Sequence, residues 1–432
     1  MKSRYRSHYI GELDEGMNGK EVTLSGWVHE VRDIGSVIFL LLRDHTGIIQ
    51  VTAKKGVVGG GIIKAMSLPK ESVVMVKGMV KDNKIAKKGY EIIPTEIINL
   101  NPLSSNIPFE TTGKVPADLD VRLDYRYIDL RRLETSAIFN IESTILGGFR
   151  ECLMKEGFGE FRPPSLVKEA TEGGAEVFKV NYFGETAYLA QSPQLYKQLA
   201  VIGGFDRVFC VTPVFRAEKS NTTYHLNEIT QMDIEMGFAD HDDAIDMLEY
   251  TIEEIIKGVQ KKNKGDLEKL GVELKSAKVT EVEYKNAVKK LNENGHKMEL
   301  GEDFNRDAEA LLAKLYGNLL IVREYPTAVR AFYSMPNEKD PFYCHSYDFI
   351  YGGLEIASGA QRIHSAELLE TALKSRGEDP KEFEFYINAF RQGAPPHAGW
   401  SIGLERLGMK ISGKDNIKEC AMFPRDRKRL VP

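Results

Sequence analysis

Cysteine is scarce: the chain holds four, Cys152, Cys210, Cys344 and Cys420. None stands at metal-ligand or redox spacing, so reduced thiols in the core of a cytoplasmic protein are expected and a disulfide framework is not. Long apolar runs are also missing. No stretch approaches the roughly 18 residues of a membrane span, and the opening MKSRYRSHYIGEL has no leader-like apolar core. A soluble, cytoplasmic protein is expected. A basic excess is lacking too: net charge is −5 and the pI about 6.1. That argues against a nonspecific nucleic-acid coat protein but leaves room for a local basic face. No Walker loop, dinucleotide fingerprint, HExxH or nucleophile elbow occurs. If ATP is used, another fold must bind it.

What is present is globular: 42% hydrophobic and 28% charged residues over 432 positions, enough for two or more domains. Between residues 20 and 100, VTLSGWV, VIFLLLRD, GIIQVTA, SVVMVKGMV and YEIIPTEIINL read as five short strands. Five such strands suit a small closed barrel, an OB-fold or an SH3-like one. Residues 101–133 carry Pro, Ser and Thr with little periodicity and read as a linker. Their arginines, Arg122, Arg126, Arg131 and Arg132, form either a solvated run or a phosphate contact between domains.

From Glu134 the spacing becomes helical, with Ile138, Ile141, Ile145, Phe149 and Leu153 on one face. GFGEFRPPSLV then reads as a strand ended by Pro163 and Pro164. AYLAQSPQ, DRVFCVTPVFRAE and NEITQMDIEMGFAD are further strands. Residues 241–263 form an amphipathic helix, and 264–320 are charged, mostly helical, and more like an insertion than core.

Chemistry concentrates in five places. In VFRAEKSNTTYHLNE, a strand delivers Arg216 and Glu218 to one face, and the next strand presents Asp233 and Glu235 likewise. GWSIGLERL is a glycine-rich strand-to-helix junction suited to an anion, with Arg406 in its first turns. LEIASGAQR offers hard oxygens at Glu355 and Ser358, which suit Mg²⁺, and a guanidinium at Arg362. TEGGAE is a glycine-hinged loop carrying carboxylates, and QSPQLYK completes the set.

In their order and separation these clusters resemble the class II aminoacyl-tRNA synthetases, over essentially the whole chain. The long helix with the strand ending at Pro163 looks like the family's first motif, which builds its dimer interface. VFRAE…HLNE looks like the second motif and GWSIGLERL the third. A preceding OB-fold resembles the subclass for aspartate, asparagine and lysine. QSPQLYK with the SGAQR arginine resembles the aspartyl enzymes of archaeal type.

The resemblance implies an α+β architecture: a five-stranded OB-fold barrel, then a catalytic domain on an antiparallel sheet flanked by helices. Residues 1–104 would be the anticodon-binding domain, 105–133 a hinge, and 134–432 the catalytic domain with a helical insertion at about 241–320. It implies an aspartate–tRNA ligase. Such an enzyme makes aspartyl-adenylate and pyrophosphate from L-aspartate and ATP, with Mg²⁺ as cofactor, and passes the aspartyl group to tRNA-Asp. A homodimer is implied as well. Catalysis would rest on Arg216, Glu355 and Arg406. ATP would meet Arg216 at its α-phosphate and Arg406 at its γ-phosphate, with Glu218, Tyr224, His225, Leu226, Glu355, Gly403, Leu404 and Glu405 around it. Glu355 and Ser358 would hold the metal. Aspartate would be held by Glu172, Gln194, Lys197, Arg216, Asp233, Ser358 and Arg362. The chain departs from the family in having Tyr224 where an arginine precedes the His-Leu pair.

Charge points the same way on the amino acid. Lys197 and Arg362 put two cations in one pocket, which a carboxylate would compensate and an amide would not. An asparaginyl enzyme shares the remaining motifs but lacks a lysine at this place. A non-catalytic OB-fold RNA-binding regulator is the other alternative, and it would have lost Arg216, Glu355 or Arg406.

In the barrel, Phe39 and Gln50 match the family's readers of the central anticodon base, although alternation in VIFLLL leaves the face of Phe39 open. His29 and Lys87 disagree about the third base: His29 resembles relaxed members that also aspartylate tRNA-Asn, whereas Lys87 resembles strict ones.

Overall fold

The computed structural model describes residues 3–168, 177–219, 222–275 and 278–432. The chain divides into two compact units, Met1–Ser136 together with Pro432, and Ala137–Val431.

The first unit is a closed barrel of β1 (Glu21–Asp33), β2 (Val37–Asp44), β3 (Gly47–Lys54), β4 (Val73–Asp82) and β5 (Tyr90–Asn101), in the order β1-β2-β3-β5-β4. Period-two alternation builds it: Ile38, Leu40 and Leu42 of β2 are buried with Val22, Leu24, Ile49, Val51, Val74 and Val76. Residues 105–133 belong to this unit and are packed, not free. Glu71 is fully buried and accepts two bonds from Arg43 Nη2, both 2.8 Å, one from Thr111 Oγ1 at 2.7 Å, and one from Arg131 at 3.2 Å. Arg122, Arg126 and Arg132 converge on buried Asp129. The arginine run is therefore neither a solvated face nor a set of free phosphate contacts. Its charges are consumed in holding the segment.

The second unit contains β6 (Gly159–Glu160), β7 (Leu166–Val167), β8 (Lys179–Tyr182), β9 (Glu185–Leu189), β10 (Arg207–Phe215), β11 (Glu228–Gly237), β12 (Thr280–Glu283), β13 (Leu319–Pro326), β14 (Tyr343–Tyr351), β15 (Glu355–Gln361) and β16 (His397–Gly403). Eight of these form one sheet in the order β12-β13-β14-β15-β16-β11-β10-β6. It is antiparallel through its six central strands and parallel at both edges. One face packs on the helices Leu133–Lys155 and His241–Lys262, whose Ile141, Ile145, Phe149, Leu248, Ile252 and Ile255 meet Phe209, Met232, Ile234, Trp400 and Ile402. The 241–320 stretch holds the expected helices, but its apolar residues are shared with the sheet. β12 pairs with β13, and the helices Tyr284–Glu293 and Arg306–Tyr316 cover Leu320, Val322 and Ile350. Among the described residues no helix is long and apolar enough to cross a membrane.

Candidate active site

Because Met232, Ile234 and Met236 of β11 face the helices, Gln231, Asp233 and Glu235 face the other way. Beneath this face lies a buried ionic network. Lys197, from the helix Gln194–Ile202, reaches Asp233 at 2.7 Å, the Trp400 carbonyl at 3.3 Å and Glu235 at 3.5 Å. Arg362 donates to both oxygens of Glu235, at 3.0 and 3.3 Å. Ser401 donates to Asp233 at 2.9 Å. Burial works to raise the Glu235 carboxyl, but Arg362 and Lys197 hold it below its usual range. Gly399 is required here. A Cβ at that position would come within 2.4 Å of the Glu235 carboxylate and 2.3 Å of the Ile234 carbonyl.

This corrects the charge argument made from sequence. The two cations expected to await a substrate carboxylate are already matched by Asp233 and Glu235, so charge balance alone does not select aspartate. Gln194 is also buried here, donating to Gln198, which in turn contacts His397 and Tyr386.

Above the network lies a cavity of about 170 Å³ lined by Arg216, Glu218, Tyr224, His225, Leu226, Gln231, Glu355, Ser358, Ser401, Gly403, Glu405 and Arg406. Lys197, Asp233 and Arg362 are not in its wall. Ser401, which is in the wall, links it to Asp233. Two buried polar atoms at the cavity lack a hydrogen-bond partner among the described residues: Arg216 Nε and Gln231 Oε1. Unsatisfied buried groups of this kind mark a place built for a ligand or water. The loop carrying Arg216 is tied by Asn227, whose amide donates to the Arg216 carbonyl at 2.7 Å.

Glu355 owes its direction to a β-bulge. Phe349 pairs with Ala357 and Ile350 with Glu355, so Ile356 is the extra residue. Ile356 and Ala357 both join the helix-side core and also reach the cavity wall, which Glu355 and Ser358 line with them. Arg406 Nη1 donates to the Glu355 carbonyl at 3.0 Å and lies 3.5 Å from its carboxylate. Ser358 accepts from Arg330 at 3.3 Å, and Arg330 is also paired with Asp348. Burial and then the charge of Asp348 raise the Glu355 carboxyl, while Arg406 opposes the shift. Burial and then Glu355 push the neighbouring Glu309 up to about 7.

The remaining expected ATP contacts fall into two groups. His225 lines the cavity with Nδ1 2.7 Å from Thr222 Oγ1, and its pKa is lowered by burial despite Glu218 at 3.9 Å. Leu226 and Leu404 are buried in the core cluster, and Glu405 is buried with both oxygens accepting from the Thr230 amide at 2.9 and 3.0 Å. Burial pushes Glu405 up to about 7. At Tyr224 the ring is covered by the Arg306 guanidinium, 3.8 Å from its centroid; Arg306 Nη1 lies 3.7 Å from the Glu309 carboxylate and has no hydrogen bond among the described residues. A cation therefore stands beside the position where the family has its arginine. Glu172 lies outside the described residues.

In the barrel, Phe39 is opposite Thr52 and Leu41 opposite Gln50, so Phe39 and Gln50 are diagonal neighbours on the outward face. Gln50 donates to Glu91 at 2.8 Å and to Thr52 at 3.2 Å. His29 is the extra residue of a bulge between Val28 and Glu30, and its Nδ1 accepts from Arg43 at 2.9 Å. Burial and then Arg43 lower its pKa. Lys87 is exposed in the turn that leads into β5. Sequence reasoning placed Glu235 on the same face as Asp233 but missed its pairing with Arg362 and Lys197. It missed Arg306 and Glu91 altogether, because both depend on tertiary contacts.

Comparison with known proteins follows this geometry. Residues 118–427 match the model of tRNA synthetases class II (D, K and N), and 22–100 match an OB-fold nucleic acid binding domain. The chain is 44% identical to the aspartate–tRNA(Asp/Asn) ligases of Methanococcus aeolicus and Methanocaldococcus jannaschii, over 99% of this chain and 98% of each of theirs. Among solved structures, the asparaginyl-tRNA synthetase of Pyrococcus horikoshii complexed with asparaginyl-adenylate superposes with a TM-score of 0.94 at 33% identity, covering 98% of this chain and 99% of that one.

Proposed function

Since the chain belongs to the class II tRNA synthetases of the D, K and N group, we propose that it activates L-aspartate with ATP and transfers it to tRNA-Asp and tRNA-Asn. The full-length identity of 44% to ligases named for aspartate carries this choice. The aspartate carboxylate attacks the α-phosphorus and pyrophosphate leaves; the tRNA terminal hydroxyl then attacks the acyl carbon. Positioning and charge neutralisation do the work, and no protein nucleophile is needed. Arg216 meets the α-phosphate with its unspent Nε–H, and Arg406 the γ-phosphate. Arg306 takes the phosphate-facing role that Tyr224 cannot. Lys197 and Arg362 hold the side-chain carboxylate, with Asp233 and Glu235 as counter-ions and Gln194 and Asp233 toward the backbone ends. The family resemblance adds Glu172 to the aspartate contacts.

Glu355 and Ser358 offer hard oxygens on one strand face, beside carboxyls raised by burial and by a neighbouring carboxylate, Asp348 at Glu355 and Glu355 at Glu309. That surplus of negative charge fits Mg²⁺. The ion supplies neutralisation of phosphate charge when bound. Residues 1–104 form the anticodon-binding domain, 105–133 the connection and 134–432 the catalytic domain. Phe39, Gln50, His29 and Lys87 face the anticodon. A homodimer in the cytoplasm completes the reading.

The test is ATP–pyrophosphate exchange with each amino acid in turn. Aspartate should drive it fastest. Faster exchange with asparagine would move the assignment to the asparaginyl enzymes, as the likeness to the Pyrococcus structure would favour. Exchange with no amino acid would leave a non-catalytic RNA-binding protein.

A further inference from the structure

Away from the cavity, three side chains from three elements converge: His241 at the start of the helix His241–Lys262, Glu324 in β13 and His345 in β14. One ligand atom from each lies within 4.8 Å of the others. His345 Nδ1 is 2.9 Å from Glu324 Oε1, and His241 Nε2 is 3.6 Å from the same oxygen. The imidazoles stack, with centroids 4.4 Å apart and planes 14° from parallel. We propose that these residues bind one divalent transition-metal ion of the zinc class, separate from the reaction site.

Four features favour a metal site over a simple ion pair. The first is tautomer control. His241 Nδ1 lies 3.3 Å from Gln361 Oε1, and His345 Nε2 lies 3.3 Å from Glu338 Oε2. Both neighbours accept, so these ring nitrogens carry the protons, and the nitrogens facing Glu324 become the metal donors. Outer acceptors of this kind accompany most metal-bound histidines. The second is the carboxylate. Asn337 donates to Glu324 Oε2 at 3.1 Å, which leaves Oε1 to face the imidazoles. The third is the backbone. Glu324 sits at φ 59° where the β13–β14 register shifts. A non-glycine residue pays for that conformation, and such strain gathers at functional sites. The fourth is access. A groove of about 380 Å³, lined by Glu324 and Asn337 and by neither histidine, lets water approach the carboxylate side of the cluster.

Two imidazoles and one carboxylate suit zinc, whereas Mg²⁺ prefers oxygen ligands alone. Without metal, a proton bridges His345 Nδ1 and Glu324. The ion displaces that proton. Once bound, it clips the helix start to two strands of the sheet.

The test uses the full-length protein, stripped with chelator and kept in excess Mg²⁺ so that hard-oxygen sites stay out of the count. Co²⁺ titration should produce visible d–d bands that saturate at one ion per chain. Zn²⁺ should abolish them, be retained at one ion per chain on dialysis, and raise the thermal midpoint. The double variant His241→Gln, His345→Gln should lose the bands, the retained ion and the thermal rise, and keep aspartate-dependent exchange. Absence of d–d bands in the wild-type protein overturns the proposal without any variant. So does Zn²⁺ retained equally by the double variant.

Discussion

Each unit buries an ionic network, and the two are finished differently. In the barrel unit, Glu71 is saturated by Arg43, Thr111 and Arg131. In the larger unit, Lys197, Asp233, Glu235 and Arg362 are paired too, but Glu235 takes only two of the five N–H donors of Arg362. Ser401 bridges that network to a cavity where Arg216 Nε and Gln231 Oε1 are unmet. Burying charge is costly, and pairing recovers that cost only when the remaining donors are satisfied. A closed network therefore reads as architecture, and unspent donors beside a cavity read as a receiving site.

The sharpest way to break this contrast is to remove one partner from each network. Either loss should cost about 3–5 kcal/mol, paid in different currencies. Glu71→Gln should destabilise the barrel unit in a denaturant melt and leave exchange per folded molecule unchanged. Lys197→Met should abolish aspartate-dependent exchange. The contrast collapses if Lys197→Met stays within a few-fold of wild type, or if folded Glu71→Gln loses exchange. Acid adds a check. Arg43, Thr111 and Arg131 outweigh burial and hold the Glu71 carboxyl below its usual range. Its contribution is present above the ordinary carboxylate pKa and is lost as pH falls through the folded value. Glu71→Gln should remove that acid-limb dependence.

The sequence carried four of the five barrel strands almost to their ends, because alternating β-branched runs between turn residues leave little choice of element; β1 runs on to Asp33, past the expected end at Val28 and through the bulge at His29. It also carried Arg216, Glu355 and Arg406, which line one cavity. Other features were illegible for identifiable reasons. The bulge at Ile356, which turns Glu355 toward Ser358, has no composition signal. Arg306 is 82 positions from Tyr224, which it covers, and only the fold joins them. Residues 101–133 looked like linker because their order comes from ion pairs, which leave no hydrophobic period. The face of Phe39 became clear only from register with β3.

A smaller effect is expected within the cavity. Under the proposed assignment Arg216→Gln removes a donor to charge developing on the phosphate, and exchange should fall about 10²–10³-fold with an unchanged melt. A fall in stability of the same size would make Arg216 structural, like Arg43. Glu405 sharpens the point by pH. Its folded pKa of about 7 is raised by burial, so its contribution is full below the ordinary carboxylate value and is lost as pH rises toward 7. Glu405→Gln should flatten stability between pH 5 and 7, roughly the window of that shift. An unaltered slope would place the burden on another acid.

The barrel should affect tRNA alone. Phe39→Ala removes an outward ring on which a base can stack, worth about 1–3 kcal/mol. Aspartylation kcat/KM should fall by the matching factor, while exchange without tRNA stays at the wild-type rate. Equal aspartylation by the variant would return Phe39 to a packing role.

The smallest effect expected is the difference between two tRNAs. The anticodons of tRNA-Asp and tRNA-Asn differ only at the third base, C or U. His29, in the β1 bulge, adjoins Glu30, the register partner of Leu41, and Lys87, in the turn before β5, precedes Glu91, which accepts from Gln50. Arg43 occupies Nδ1 of His29, so Nε2 carries the ring proton and is the group left to meet a base. A small ring with one donor suits either pyrimidine oxygen, and it excludes an alternative base pose less well than a bulky indole. Exposed Lys87 can reach a phosphate or a base oxygen, with little discrimination. Aspartylation of tRNA-Asn and tRNA-Asp transcripts should therefore differ by no more than about tenfold, roughly 1.4 kcal/mol. A ratio beyond about a thousandfold, near 4 kcal/mol, would show a strict enzyme in which Lys87 outweighs His29. In that event Lys87→Ala, and not His29→Ala, should relax it.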